Sequence, residues 1–270
     1  VNVYVIIVSA NWPSRTDVNR RALRFEFIMH WPKLLLFGDS ITQLSMTSDG
    51  CWGNILANKL ERRCDILVRG FSGYNTRKAN LVFPLVMREF LDKLESIGLI
   101  VIFFGANDAA DGALNPQQHV PVSEYKDNLL SMLTYLKCHG FPMEKVLLLA
   151  PPPVDEDALQ IHADADGKEQ TRSNKSVIRY AEAVKNVSVR VNCKFIDTYH
   201  KMLENKLWKT FLRDGLHFSK EGSAFLADLI MMEIKHLEEL PQHFPLNADF
   251  PNDEAEKFYK EWMATNKLSQ

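Results

Sequence analysis

From Lys33 onward, short apolar runs alternate with longer stretches in which apolar residues recur at helical spacing. Each short run is almost continuously apolar, which is typical of strands that are covered on both faces. The predicted strands occupy residues 33–37, 64–70, 99–104, 145–150 and 193–197. The predicted helices occupy residues 52–62, 77–95, 123–138, 172–190 and 219–239. This alternation predicts an α/β fold, a three-layer α/β/α sandwich with a five-stranded parallel sheet.

The two ends of the chain differ from this regular centre. Residues 1–30 contain a short apolar block, VYVIIV, and then an arginine-rich stretch, and we interpret them as an N-terminal extension. The block is shorter than the roughly 20 residues of a membrane span and lacks the basic leader of a signal peptide. Residues 31–270 are expected to form one domain, whose last helix begins after Pro251. Phe258 and Trp262 share a face of that helix, which either packs on the domain or forms a homodimer contact.

Composition and charge exclude several classes of protein. The net charge of −2 provides no basic surface for nucleic acid. None of the four cysteines lies in a CxxC pair or near a histidine at zinc-ligand spacing, so we expect reduced thiols and a cytoplasmic location. The chain has neither a GxGxxG nor a Walker sequence, so the sequence offers no support for a nucleotide cofactor.

Small and polar residues follow four of the predicted strands. Each segment alone is also what a turn or a helix cap would use. The carboxyl ends of parallel strands meet at one edge of a sheet, where ligands bind, so we expect the four segments to lie together. They are GDS (38–40), GFSGYN (70–75), GAND (105–108) and RDGLHF (213–218).

Acyl transfer is the chemistry that these segments could share. Ser40 would be the nucleophile, and His217 would be the base that takes its proton. Asp214 precedes His217 by three residues, a spacing that lets a carboxylate orient the imidazole and fix its tautomer.

The tetrahedral intermediate of such a reaction needs hydrogen-bond donors for its oxyanion. The candidates are the backbone N–H of Ser40, the backbone N–H of Gly73 and the side-chain amide of Asn107. Preorganised donors of this kind are worth about 3 kcal/mol each.

The sequences GDSIT, RGFSGYNTR, FFGAND and DGLHFS, in this order, resemble the GDSL or SGNH hydrolase family. They are most similar to its isoamyl acetate-hydrolysing esterase branch. The resemblance implies a flavodoxin-like fold, no metal or organic cofactor, and an ester with a short acyl chain as the substrate. It also implies Ser40, Gly73, Asn107 and His217 as the four family-naming residues, with Asp214 as the third member of the triad.

Two other classes of function are compatible with the same residues. The first is a metal-dependent phosphohydrolase, because hard cations bind several carboxylates at one strand edge. Ser40 and Asn107 would have no role in such a site. The ligands of that metal site would be Asp39, Asp108, Asp214 and His217.

The second class is a binding protein on the same fold that has lost catalysis.

Two further features leave alternatives open. His200, just beyond the fifth predicted strand, is a rival for the catalytic base. The acidic segment 151–172 is either a solvated surface loop or a lid over the acyl pocket. As a lid, it would disfavour anionic substrates by like charge, so we expect a small neutral ester as the substrate.

Overall fold

The computed structural model describes residues 32–47 and 51–235, together with residues 257, 258, 260, 261 and 264. The predicted N-terminal extension, residues 1–30, lies outside the described residues. The five described residues beyond 235 are helical, as predicted for the end of the chain. Trp262, with which Phe258 was predicted to share a face, lies outside the described residues.

The sheet has five parallel strands in the described chain. Their order is β2-β1-β3-β4-β5, which is that of flavodoxin-like sheets. The predicted fold class is therefore confirmed. The strands are β1 (Lys33–Gly38), β2 (Asp65–Gly70), β3 (Ile97–Phe103), β4 (Val146–Leu149) and β5 (Lys194–Ile196).

The helices cover both faces of this sheet. In the described residues α3, α4 and α6 contact one another in series, and α2 contacts α8. Every residue of β3 and β4 is buried, which explains why the two strands read as continuous apolar runs. The α-helices are α1 (Ser40–Gln43), α2 (Trp52–Lys59), α3 (Thr76–Arg88), α4 (Val122–Cys138), α5 (Glu156–Asp166), α6 (Asn174–Val191), α7 (Thr198–Leu203) and α8 (Lys220–Glu233).

The predicted helix 77–95 is shorter than expected. The α-helix ends at Arg88, and a 3₁₀ turn, Leu91–Ser96, leads into β3. Lys93 has non-helical angles there, with φ −152° and ψ 40°. Phe90, immediately before the turn, is 1% exposed, so the chain leaves the helix while burying this ring and then enters the sheet.

The acidic segment 151–172 contains helix α5, which the sequence interpretation as a loop or a lid did not include. The side chain of Asp155 caps the helix by accepting a hydrogen bond from the backbone N–H of Asp157. Gly167 ends it with φ +65°. No residue of α5 is buried, so the helix lacks the apolar stripe that helix prediction relies on.

The register of β1 brings the ends of three strands together. Gly38 pairs with Gly70 of β2 on one side and with Phe103 of β3 on the other. This is the point at which the strand order reverses, and open α/β sheets bind ligands in the crevice there. The segments after β1, β2 and β3 thus begin side by side.

No helix in the described part of the chain combines the length and apolar character of a membrane span. All four cysteines have free thiols, and Cys51 and Cys64 are buried.

Candidate active site

Ser40 stands where a buried strand changes directly into a helix. It is the first residue of α1, two residues after β1 ends, and Asp39 caps the helix by accepting from the N–H of Ile41 at 2.9 Å. A Cβ at Gly38 would lie 2.5 Å from the carbonyl oxygen of Phe103, so only glycine allows this close approach of strand to strand. The Ser40 side chain is consequently held at the rim of the sheet.

His217 and Asp214 complete a chain of hydrogen bonds that begins at Ser40. His217 Nε2 lies 2.9 Å from Ser40 Oγ, and His217 Nδ1 lies 2.6 Å from Asp214 Oδ2. The other carboxylate oxygen of Asp214 accepts from the backbone N–H groups of Leu216, at 3.0 Å, and His217, at 2.7 Å. The structure therefore brings together the three residues predicted for the triad.

Asp214 stays ionised in this environment. Its burial favours the neutral acid, but the hydrogen bonds from the side chain and backbone of His217 together outweigh burial and lower the pKa of Asp214 to about 2. An ionised carboxylate accepts from Nδ1–H, so the His217 tautomer has its proton on Nδ1 and an acceptor lone pair on Nε2, facing Ser40.

The loop that carries Asp214 and His217 is closed on itself. Leu212 and Phe218 form an antiparallel bridge across it, and the backbone N–H of Arg213 donates to the carbonyl of His217 at 2.9 Å. Such a closed loop fixes the direction of the imidazole without help from substrate.

Helix α5 begins against this loop. The N–H of Asp155 donates to the carbonyl of Gly215 at 2.9 Å. Gly215 has φ +85°, and a Cβ there would lie 2.8 Å from the backbone oxygen of Asp155. Lys209 binds Asp155 at 2.8 Å and Asp157 at 2.6 Å. The acidic segment is thus attached at its start to the loop that carries His217, while no residue of α5 itself is buried.

The segment after β2 is joined to the segment after β1. The N–H of Phe71 donates to the carbonyl of Gly38 at 2.8 Å, and the N–H of Ser72 donates to the side chain of Gln43 at 2.7 Å. Gly73 has φ +76°, a left-handed conformation that favours glycine. The nearest neighbour of a Cβ at Gly73 would be 4.0 Å away, so open space lies beside this residue.

Asn107 connects this segment to the one after β3. It is 3% exposed, and its Nδ2 donates to the carbonyl of Tyr74 at 2.9 Å. Its Oδ1 accepts from Arg172 Nη2 at 2.9 Å. The amide is therefore fixed at both ends, next to the residue that follows Gly73.

Asp39 and Asp108 are buried carboxyls with structural hydrogen bonds. Burial raises the pKa of Asp39 to about 6 and that of Asp108 to about 7, against the opposing effect of their hydrogen bonds. Asp108 accepts from the backbone and hydroxyl of Thr76, at the start of α3. Within the described residues, no group of three or more His, Cys, Asp or Glu side chains is arranged to hold a metal ion.

His200, the rival base, has other contacts. Its side chain is 52% exposed, and its Nδ1 lies 2.9 Å from Asp197, the residue that caps α7. His217 is the histidine that contacts Ser40.

The sequence interpretation missed Arg172 and Gln118, which contact the predicted site. Arg172 was placed at the start of a predicted helix, whereas α6 begins at Asn174. Neither residue belongs to the four motifs, and both reach the site through side chains that cross between loops. No local pattern in the sequence signals such a contact.

The model of the GDSL-like lipase/acylhydrolase family matches residues 36–225, which is most of the chain. The chain belongs to this family. The family that we inferred from the four motifs is thus confirmed, and the chain is a carboxylic ester hydrolase of the GDSL type.

Named relatives agree with this assignment. The isoamyl acetate-hydrolyzing esterase 1 homolog of Rattus norvegicus is 43% identical over 197 residues, which are 73% of this chain and 78% of the relative. A GDSL esterase/lipase of Arabidopsis thaliana is 35% identical over 245 residues, 85% of this chain and 98% of the relative. A lipase/acylhydrolase from Enterococcus faecalis has a similar crystal structure, with a TM-score of 0.54 and 27% identity over 76% of this chain and 96% of that one.

Proposed function

We propose that this GDSL-type hydrolase is a serine esterase that cleaves short-chain, acetate-type carboxylic esters through an acyl-enzyme intermediate. The observation that carries the proposal is the unbroken series of hydrogen bonds from Ser40 through His217 to Asp214. A hydroxyl, an imidazole and a carboxylate in this order are the parts that nucleophilic acyl transfer requires.

In the first half of the reaction, His217 Nε2 takes the proton of Ser40 Oγ as the oxygen attacks the ester carbonyl carbon. The tetrahedral intermediate then collapses, His217 gives the proton to the departing alkoxide, and an alcohol leaves. In the second half, His217 takes a proton from water as the water oxygen attacks the acyl-Ser40 ester. The second tetrahedral intermediate collapses, His217 returns the proton to Ser40 Oγ, and the carboxylic acid leaves. Asp214, ionised because its pKa is about 2, stabilises the imidazolium in both halves.

The oxyanion of each tetrahedral intermediate would accept from the backbone N–H of Ser40, the backbone N–H of Gly73 and Asn107 Nδ2. Two observations support this assignment. Ser40 begins a helix, so its N–H belongs to the first turn, where helical partners are lacking. Asn107 Nδ2 carries two hydrogens, and the bond to Tyr74 uses one of them.

A small neutral ester is the substrate class that we infer. The rat relative is named an isoamyl acetate-hydrolyzing esterase, and isoamyl acetate is a neutral acetate ester. The donors of Arg172 engage Asn107, Gln118 and Ala106. Helix α5, which begins against the loop that carries His217, has Glu156 and Asp157 in its first turn, and their negative charge opposes the approach of an anionic substrate.

A panel of chromogenic esters of increasing acyl length, assayed with purified protein, tests this proposal. We expect the highest kcat/KM at the acetyl end and loss of turnover in Ser40→Ala. Ser131→Ala, on the exposed side of α4, is the matched control. Turnover that survives Ser40→Ala would refute the nucleophile, and a lower KM for an acyl-CoA than for a neutral acetate ester would refute the substrate class.

A further inference from the structure

Arg172 contacts the site through three hydrogen bonds, although it lies outside the four motifs. Its Nη2 donates to Asn107 Oδ1 at 2.9 Å and to Gln118 Oε1 at 2.8 Å. Its Nε donates to the backbone carbonyl of Ala106 at 3.2 Å. The Arg172 guanidinium therefore connects the side-chain amides of Asn107 and Gln118 with the backbone carbonyl of Ala106.

The chemistry of arginine determines how the two amides are oriented. A guanidinium has donors and no acceptor, so the atoms of Asn107 and Gln118 that face it are the amide oxygens. The NH₂ groups then point away from Arg172. With the opposite orientation, Asn107 would present an oxygen, and not a donor, to the negative charge of an oxyanion.

Gln118 has further hydrogen bonds besides the one from Arg172. Its Oε1 also accepts from Asn115 Nδ2 at 3.1 Å, and its backbone carbonyl accepts from Asn75 Nδ2 at 2.9 Å. Its Nε2 lies 4.0 Å from the position that a Cβ on Gly73 would occupy. The amide nitrogen of Gln118 thus faces the open space beside Gly73.

We propose that Arg172 is a positioning residue of the hydrolytic site, which orients the amides of Asn107 and Gln118 so that both present N–H donors to the substrate. In this arrangement Gln118 supplies a donor in addition to those of Ser40, Gly73 and Asn107. The inference rests on the proposed function, since it concerns the same oxyanion. A lysine could not replace the arginine, because an ammonium lacks the planar fork that reaches three acceptors at once.

A double-mutant cycle tests whether Arg172 acts through Asn107. Arg172→Ala is expected to lower kcat for a short-chain ester about 10²-fold with KM changed less than about 3-fold, which is the loss of one oxyanion donor. In the Asn107→Ala background, the same substitution should lower kcat by no more than about 10-fold, which is the part that acts through Gln118. Equal losses in both backgrounds would overturn the proposal.

Three controls separate positioning from folding. Added guanidinium should restore part of the kcat of Arg172→Ala, and Arg172→Lys should remain as impaired as Arg172→Ala. Arg179→Ala, an exposed arginine on α6, should keep the wild-type kcat. If Arg172→Ala does not fold, Arg172→Lys takes its place in the cycle, and a wild-type kcat for Arg172→Lys would refute the proposal.

The role of Gln118 is tested by exchanging its nitrogen for an oxygen. Gln118→Glu keeps an acceptor for Arg172 but lacks the amide donor, so it should lose about 10-fold in kcat/KM, as should Gln118→Ala. Full activity of Gln118→Glu would remove Gln118 from the donors. All rates are compared after subtraction of the Ser40→Ala rate. Failure of the proposed function would therefore appear as activity that survives Ser40→Ala. Failure of this inference would appear as equal losses of kcat on Arg172→Ala in the wild-type and Asn107→Ala backgrounds.

Discussion

His217 Nε2 lies 2.9 Å from Ser40 Oγ, although 177 residues separate the two along the chain. The strand β1 ends just before Ser40, and a closed loop beyond the last strand carries His217. The contact therefore exists only in the folded protein, and it depends on the strand order that brings the two ends of the domain to one edge.

Replacing Asp214 by asparagine should abolish most of the activity while leaving the loop intact. The asparagine side chain would keep an oxygen for the N–H groups of Leu216 and His217, but its NH₂ would face His217 Nδ1. The imidazole would then place its proton on Nε2 and could not accept one from Ser40. We expect kcat to fall about 10⁴-fold, measured by steady-state hydrolysis of an acetate ester.

The matched control for this prediction is Asp197→Asn, because Asp197 pairs with His200 at the same three-residue spacing. It should keep the wild-type kcat. A loss at Asp197 as large as the loss at Asp214 would assign the base to His200 instead.

Replacing Asn107 by alanine should lower kcat by about 10²- to 10³-fold and leave KM nearly unchanged. The physical reason is that the donor is needed when charge develops on the carbonyl oxygen, more than when the ester binds. Asn58→Ala, on the exposed end of α2, is the control. An increase in KM at constant kcat would show that Asn107 serves ground-state binding.

The buried pair Asp39 and Asp108 should make the folded protein less stable as the pH rises. The pKa of Asp108 is raised by burial from 3.8 to about 7, and that of Asp39 to about 6. The folded state thus keeps protons that the unfolded chain releases between about pH 4 and about pH 7, so the free energy of unfolding falls across this window.

Asp108→Asn should therefore reduce the fall in the free energy of unfolding with rising pH. The reduction should be up to about 1.4 kcal/mol for each pH unit between the folded and unfolded pKa values of Asp108. Asparagine keeps an oxygen acceptor for Thr76 without a charge. Urea unfolding at several pH values measures the effect, and Asp127→Asn, exposed on α4, is the control. An unchanged pH dependence in Asp108→Asn would contradict the assignment.

A chelator should leave ester hydrolysis unchanged. The triad needs no Lewis acid, and Asp39 and Asp108 bind backbone and hydroxyl groups of the protein instead. We expect the same kcat with and without EDTA, and no hydrolysis of phosphate monoesters when divalent cations are added. Loss of activity on chelation, restored by a metal ion, would favour the phosphohydrolase.

The central strands β1, β3 and β4 were predictable from sequence because they are buried along most or all of their length. Each therefore appears as an apolar run, and the strand that ends at Gly38 was found to within one residue. The carboxyl-edge rule then predicted that Ser40, Gly73 and Asn107 lie at one edge, since their motifs directly follow strands, and His217 lies in a loop beyond β5. Their shared position in the topology made the site predictable, although each motif alone was ambiguous.

The features that the sequence interpretation missed have no periodic pattern of apolar residues. Helix α5 has no buried residue, so its only signals are the Asp155 cap and the Gly167 terminus. Arg172 and Gln118 reach Asn107 and Gly73 across long sequence separations, through contacts that follow from side-chain length and loop shape. Such contacts can be identified only from the three-dimensional structure of the loops.

The central claim is that Ser40 is a nucleophile activated by His217. Its most direct test is labelling with a fluorophosphonate, which reacts with activated serines, followed by mass spectrometry of the modified peptide. We predict one adduct on Ser40, and no adduct in either Ser40→Ala or His217→Ala. An adduct on another residue, or labelling of Ser40 that is undiminished in His217→Ala, would contradict the account.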